Sequence, residues 1–122
     1  MRVEVCPLAR TAALIGDVYV LLILRDLAAG PQRFTSLARS VGVNPRTLSN
    51  RLRRMEREGL VARRHYAEIP PRVEYSLTDK GESLLPILHM MRLWGEQWLM
   101  GGTPRRKRTA QGSAALETPA GA

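Results

Sequence analysis

Five arginines, a threonine and two asparagines crowd the stretch NPRTLSNRLRRMEREG from Asn44 to Gly59, and between Arg46 and Arg57 only one acid, Glu56, offsets them. Guanidinium groups are forked cationic donors that match phosphate oxygens and the guanine edge, and a carboxamide matches the adenine edge. Held on a rigid rod, such a set can enter a DNA major groove. The spacing supplies the rod. Leu48, Leu52 and Met55 recur at i, i+4 and i+7 and share one helix face. At about 100° per residue, Arg46, Asn50, Arg53 and Arg57 fall opposite, with Arg51 and Arg54 toward the flanks. Asn44 can cap the start, Pro45 suits the first helical position, and Gly59 suits the residue just past the end.

The N-terminal part of such a helix reaches deepest into a groove, which makes Arg46, Thr47, Asn50 and Arg51 the candidates for base edges. Arg53, Arg54 and Arg57 are candidates for phosphates. The plainer reading is a solvated basic face, in which Arg57 pairs locally with Glu56 or Glu58.

The neighbouring elements decide how such a helix is presented. A helical pattern opens at Cys6-Pro7, with Leu8, Ala12, Ile15 and Leu14 toward one side, and Gly16-Asp17 interrupts it. Val18 to Ala28 is apolar nearly all round, as expected of a helix at the centre of a core or an interface. Gly30-Pro31 ends it. Phe34-Thr35 then reads as an apolar N′ residue and an N-cap for a short helix, Ser36 to Ser40. Gly42-Val43 links that helix tightly to Asn44, and the pair forms a helix-turn-helix. Arg33, Thr35 and Ser36 stand at the start of its first member, where helix N-termini favour phosphate; capping alone would account for Thr35 equally well.

After Gly59 the period changes to two. Leu60–Tyr66 and Arg72–Leu77 have strand character, and Ile69-Pro70-Pro71 makes a stiff link between them. A hairpin directly after a recognition helix is a wing, from which Arg63, Arg64 and Arg72 could reach phosphate or minor groove. Glu74 could instead pair with an arginine across the hairpin. Thr78 can cap a last helix, about Asp79 to Met100, rich in Leu, Met and Trp, with Pro86 bending or breaking it. The spacing thus predicts a mainly α chain with a small β-hairpin wing, occupying residues 1–100. Residues 101–122 read as a disordered basic tail: Arg105-Arg106-Lys107-Arg108 against Glu117 give it +3 of the net +8.

Composition bounds the partners. In 122 residues, 44% hydrophobic, one domain with a modest core is expected. The net charge of +8 favours a polyanion, nucleic acid before acidic membrane. No secretory signal opens the chain and no apolar run is long enough for a bilayer, so the protein is expected in the cytoplasm, with no membrane partner. A single cysteine cannot close an internal disulfide. His65 and His89 stand apart without clustered carboxylates, so neither a metal site nor a cofactor is expected. No nucleophile–base pairing or phosphate loop suggests an enzyme.

The chain resembles the HxlR-type winged helix-turn-helix regulators of bacteria, a branch near the MarR group. The resemblance rests on Cys6-Pro7, on LLILRDL from Leu21 to Leu27, on G-P-x-R-F from Gly30 to Phe34, and on L-x-x-R-L-R-x-M-E-x-E-G-L-V from Leu48 to Val61. PPRVEYSLT from Pro70 to Thr78 and G-x-x-L-L-P from Gly81 to Pro86 complete it. One departure stands out: where the family commonly has G-G-K-W, this chain has Gly16-Asp17-Val18-Tyr19. Tyr19 can fill part of the usual tryptophan's space, and the lysine is absent.

The resemblance implies a dimeric regulator that binds double-stranded DNA, bacterial and nucleoid-associated, dimerising through its first and last helices, with the wing in a neighbouring groove. A homodimeric repressor is the leading expectation, and a nonspecific nucleic-acid-binding or architectural protein is the alternative. The resemblance also makes Cys6 a candidate redox sensor, since some relatives sense oxidants or electrophiles at this position. Thiolate chemistry of that kind is favoured by nearby positive charge, such as Arg2 or Arg10. The other reading is a small buried residue seating the first helix. Whether a small-molecule effector acts at the dimer interface stays open.

Overall fold

A computed structural model describes residues 3–101. After a 3-10 turn at Val3–Val5 come α1 (Pro7–Ile15), α2 (Val18–Leu27), β1 (Gln32–Arg33), α3 (Phe34–Val41), α4 (Pro45–Arg57), β2 (Val61–Tyr66), β3 (Arg72–Leu77), α5 (Asp79–Glu82) and α6 (Leu85–Trp98). The mainly helical chain with a hairpin wing is the winged helix-turn-helix that the periodicities predict. Residues 102–122, including the expected basic tail, lie outside the described part.

The core grows outward from α2. Its start is fixed by Asp17, whose Oδ1 accepts the N–H groups of Tyr19 at 2.9 Å and Val20 at 3.0 Å. This carboxylate satisfies two of the donors that every helix start leaves unpaired. Val20, Ile23, Leu24 and Leu27 are then buried, and α2 packs against α3, α4 and β3. Leu37 and Val41 of α3, Leu48, Leu52 and Met55 of α4, and Leu60, Val61 and Tyr75 complete the core. α1 meets α2 at 79° and contributes Ile15. Leu8, expected on its inner side, is instead 79% exposed. Among the described residues no single helix is long and apolar enough to cross a membrane.

Two boundaries differ from expectation. α3 begins at Phe34, two residues earlier than a Thr35 cap would place it, and its N-cap Arg33 makes no side-chain capping bond. The cause is a strand that sequence periodicity cannot show. Gln32 and Arg33 pair with Tyr75 and Glu74, making a three-stranded antiparallel sheet of order β1-β3-β2. Arg33 leaves this strand extended and enters the helix directly.

The expected long last helix is two helices. Ser83-Leu84 break it, and Pro86 sits in the first turn of α6, where its missing N–H costs no hydrogen bond. α5 is held by Thr78, whose hydroxyl accepts from Gly81 N–H at 3.1 Å and donates to the Gly59 carbonyl. Residues 3–88 form one compact body, and the chain from His89 onward belongs to a second. Within that second unit Arg92 pairs with Glu96 at 2.7 Å and also contacts His89.

Gly81 has a measurable role in closing the first body. A Cβ there would stand 2.2 Å from the Leu60 carbonyl oxygen and 3.2 Å from a Leu77 methyl. The Gly81→Ala protein is therefore expected to lose about 1–3 kcal/mol of stability, the usual cost of overpacking, in urea unfolding followed by circular dichroism. Wild-type stability in that variant would show that α5 yields freely.

Candidate DNA-binding site

α4 is built as its sequence dictates. Asn44 Oδ1 accepts Thr47 N–H at 2.9 Å, and Leu48, Leu52 and Met55 are each at most 1% exposed. α3 hands the chain to α4 through Gly42, whose φ of 73° is left-handed and suits glycine. The helix ends at Arg57, with Gly59 also left-handed just beyond it and the Lys80 ammonium donating to the Glu58 carbonyl at 2.7 Å.

Burial of one side leaves Arg46, Asn50, Arg53 and Arg57 exposed on the other, with Thr47 half-buried beside them. Arg53 donates to Asn50 Oδ1 at 2.8 Å, and the Asn50 amide NH2 has no partner among the described residues. The guanidinium groups of Arg46 and Arg57 have no partner among the described residues. Arg57 therefore does not make the local ion pair with Glu56 or Glu58 that the plainer reading anticipated.

The two flanking arginines turn inward instead. Arg51 Nε donates to Asp17 Oδ2 at 3.0 Å, and its guanidinium lies 5.7 Å from the Tyr19 ring. Arg54 Nη2 donates to the Ala13 carbonyl at 2.6 Å. Both grip the corner between α1 and α2. Arg51 and Arg54 are thus engaged across the fold, unlike Arg46 and Arg57. Asp17, absent from the expected site, is the residue that organises this corner. Its signal was a carboxylate directly before an apolar helix, a helix-start pattern. Burial raises the Asp17 pKa, but hydrogen bonds from Val20, Arg51 and Tyr19 and the charge of Arg51 outweigh it and hold the group below the ordinary 3.8.

At the start of α3, Arg33 and Thr35 are exposed and Ser36 is half-buried. No side chain caps this end, so its first-turn N–H groups remain available to an anion. In the wing, the register sets Arg64 opposite Glu74 and Tyr66 opposite Arg72. Arg72 bonds Glu74 at 2.8 Å and Glu68 at 2.7 Å, and lies 3.9 Å from the Tyr66 ring centroid. Burial works against the Arg72 charge, but Glu68, Glu74 and Tyr66 prevail and raise its pKa above the ordinary value. Glu74 therefore takes its partner from two residues away on its own strand, not across the hairpin. Arg72 braces the wing tip, where Ile69-Pro70 is a cis peptide. Arg64 stays exposed, its guanidinium 5.0 Å from the Tyr66 ring centroid.

Cys6 is half-buried at the N-cap of α1, its Sγ accepting Ala9 N–H at 3.4 Å. Among the described residues no three His, Cys, Asp or Glu side chains converge to hold a metal ion.

A capped, arginine-faced helix behind a glycine turn, followed by a braced hairpin, defines a DNA-binding winged helix-turn-helix protein. The comparisons give its family. Residues 14–103 match the HxlR-like helix-turn-helix model, and the chain belongs to that family of DNA-binding transcriptional regulators. An HTH-type transcriptional regulator of Halalkalibacterium halodurans is 43% identical over 96 residues, covering 77% of this chain and 85% of the relative. The oxidised form of the redox regulator HypR superposes with a TM-score of 0.71 at 37% identity, covering 75% of this chain and 95% of HypR. Reduced YodB, a transcriptional regulator of Bacillus subtilis, gives 0.68 at 31% identity, covering 80% and 98%.

The Asp17 corner yields a pH-dependent expectation. A carboxyl whose folded pKa is depressed stabilises fully above its unfolded value of 3.8 and loses that contribution as pH falls through the lower folded value. Asp17→Ala is expected to cost about 1–2 kcal/mol at neutral pH through loss of the helix cap and the Arg51 partner. The gap from wild type should narrow below pH 3.8. Thermal unfolding of both proteins across the acid range checks this, and a gap that does not change with pH would refute the carboxylate's role.

Proposed function

We propose that the protein is a homodimeric repressor that recognises a roughly palindromic operator, with two α4 helices in major grooves about 34 Å apart. The observation that carries this reading is the division of α4 into a buried Leu48-Leu52-Met55 face and an exposed Arg46-Asn50-Arg53-Arg57 face. Arg46, Thr47 and Asn50 address base edges, and Arg53 and Arg57 hold phosphates. Arg33, Thr35 and Ser36 present the uncapped start of α3 to the backbone, and Arg64 extends the contact from the wing. Arg51, Arg54 and Arg72 act by positioning: the first two set α4 against the α1–α2 corner, and the third stiffens the wing. The work is binding in the cytoplasm, on nucleoid DNA, and not catalysis.

The dimer is proposed through α1 and α6. Met90, Met91, Leu93, Trp94 and Trp98 of α6 are 41–63% exposed, and α1 exposes Leu8. Apolar side chains in such density are expected to be covered by a partner surface. A redox input at Cys6 is a second element of the proposal, supported by the likeness to HypR and by the half-exposed thiol at the start of a proposed interface helix. Two Cys6 thiols, one from each protomer, would form a disulfide, with two electrons and two protons passing to an oxidant such as diamide.

Genome-wide binding of the tagged protein identifies the operator, and titration against operator and random duplexes tests selectivity. Arg46→Ala and Asn50→Ala are expected to lower the operator-to-random ratio, each by about 1–3 kcal/mol. Arg53→Gln should weaken both duplexes alike and flatten the salt dependence by about 0.9 log unit per decade of salt. Equal wild-type affinity for all duplexes would replace this reading with a nonspecific architectural role. A monomer at micromolar concentration would refute the dimer, and unchanged operator binding after diamide treatment would refute the thiol input.

A further inference from the structure

Beyond the DNA-facing surface, the first compact body carries an open depression of about 340 Å³ between α1, the C-terminal end of α4 and α5. Its size falls at the small end of the usual ligand range of about 300–1,000 Å³. Three cations from three different helices line it: Arg10, Arg54 and Lys80. A single acid, Glu58, faces them, and Ala13 and Leu14 supply apolar wall. Two of the cations already have work. Arg54 holds the Ala13 carbonyl at 2.6 Å and Lys80 holds the Glu58 carbonyl at 2.7 Å, each neutralising a helix C-terminal end. Each keeps further N–H donors. The Arg10 guanidinium has no partner among the described residues.

The geometry points to a binding site for a small organic monocarboxylate, and to that ligand as an effector of α4. Excess positive charge from Arg10, Arg54 and Lys80 selects an anion. Leu14 and Ala13 select an organic body over an inorganic ion, and Glu58 disfavours a second negative charge. DNA does not suit the depression. It lies at the Glu58 end of α4, about 18 Å along the helix from Arg46 at 1.5 Å per residue, and a recognition helix meets bases with its N-terminal residues. The coupling runs through Arg54. A carboxylate that takes the remaining Arg54 donors draws the guanidinium away from the Ala13 carbonyl, loosens the α1–α4 bond and resets α4 against the α1–α2 corner. Ligand binding is read on the free protein, so a failure of operator selectivity and a failure of this site are distinguishable.

The test uses the full-length protein with benzoate as probe, neutral benzamide as its isostere and inorganic phosphate as a plain anion, each followed by calorimetry. Benzoate is expected to bind, and benzamide and phosphate to bind at least about tenfold more weakly, the loss that one charge-assisted hydrogen bond represents. Arg10→Gln should weaken benzoate about tenfold while leaving DNA affinity without benzoate unchanged. Saturating benzoate should shift the DNA affinity of the wild type and not of Arg10→Gln at the same concentration. No benzoate binding, equal binding of benzamide or phosphate, or full benzoate affinity in Arg10→Gln would overturn the site. Benzoate binding without any change in DNA affinity would overturn its role as an effector site.

Discussion

The burial of Leu48, Leu52 and Met55 against the α2 side of the core is the contact on which the rest of the molecule depends. Alone, a 13-residue helix carrying five arginines has little reason to stay folded, since isolated helices of this length are marginal in water and like charges repel. Each of the three side chains contributes about 1.5–3 kcal/mol when fully buried. α2 can receive them because it is apolar on nearly every side, with Val20, Ile23, Leu24 and Leu27 all inaccessible. The same burial that stabilises α4 also fixes its rotation, and so decides which arginines meet solvent.

Much of this was legible in the residues because it rests on local periodicity and local chemistry. The i, i+4, i+7 spacing placed the inner face of α4, Asn44 and Gly59 marked its ends, and the Val73-Tyr75-Leu77 alternation marked β3. What escaped depends on distance along the chain. Asp17 and Arg51 are 34 residues apart, and Ala13 and Arg54 are 41 apart. Long, flexible side chains can turn either way from a helix flank, and spacing alone does not say which. β1 escaped for another reason: two residues are too few to show a period, and their pairing with β3 is a tertiary fact. That strand moved the start of α3 from a Thr35 cap to Phe34.

The arginines consequently fall into two populations that composition cannot separate. Arg46 and Arg57 are without partners among the described residues, and their charge faces outward. Arg51, Arg54 and Arg72 each commit at least one donor to a carboxylate or a carbonyl within the protein, and contribute geometry. Net charge attracts DNA from a distance, whereas orientation decides what is read on arrival. A chain that kept its arginines but lost Asp17, Glu68 and Glu74 would hold more free guanidinium groups and less control over their direction.

The third strand has a consequence for the reach of the protein. Because β1 joins β3 at the very residues that lead into α3, the hairpin is continuous with the helix-turn-helix and has no hinge of its own at its base. Its six-residue strands span about 20 Å at 3.3 Å per residue. The wing is thus a calliper arm of set length, and the interval between what α4 touches and what the wing touches is a constant of the protein. In the proposed docking, DNA held by both α4 and the wing would have to match that interval, which would give the stiffness of the intervening base pairs a say in recognition.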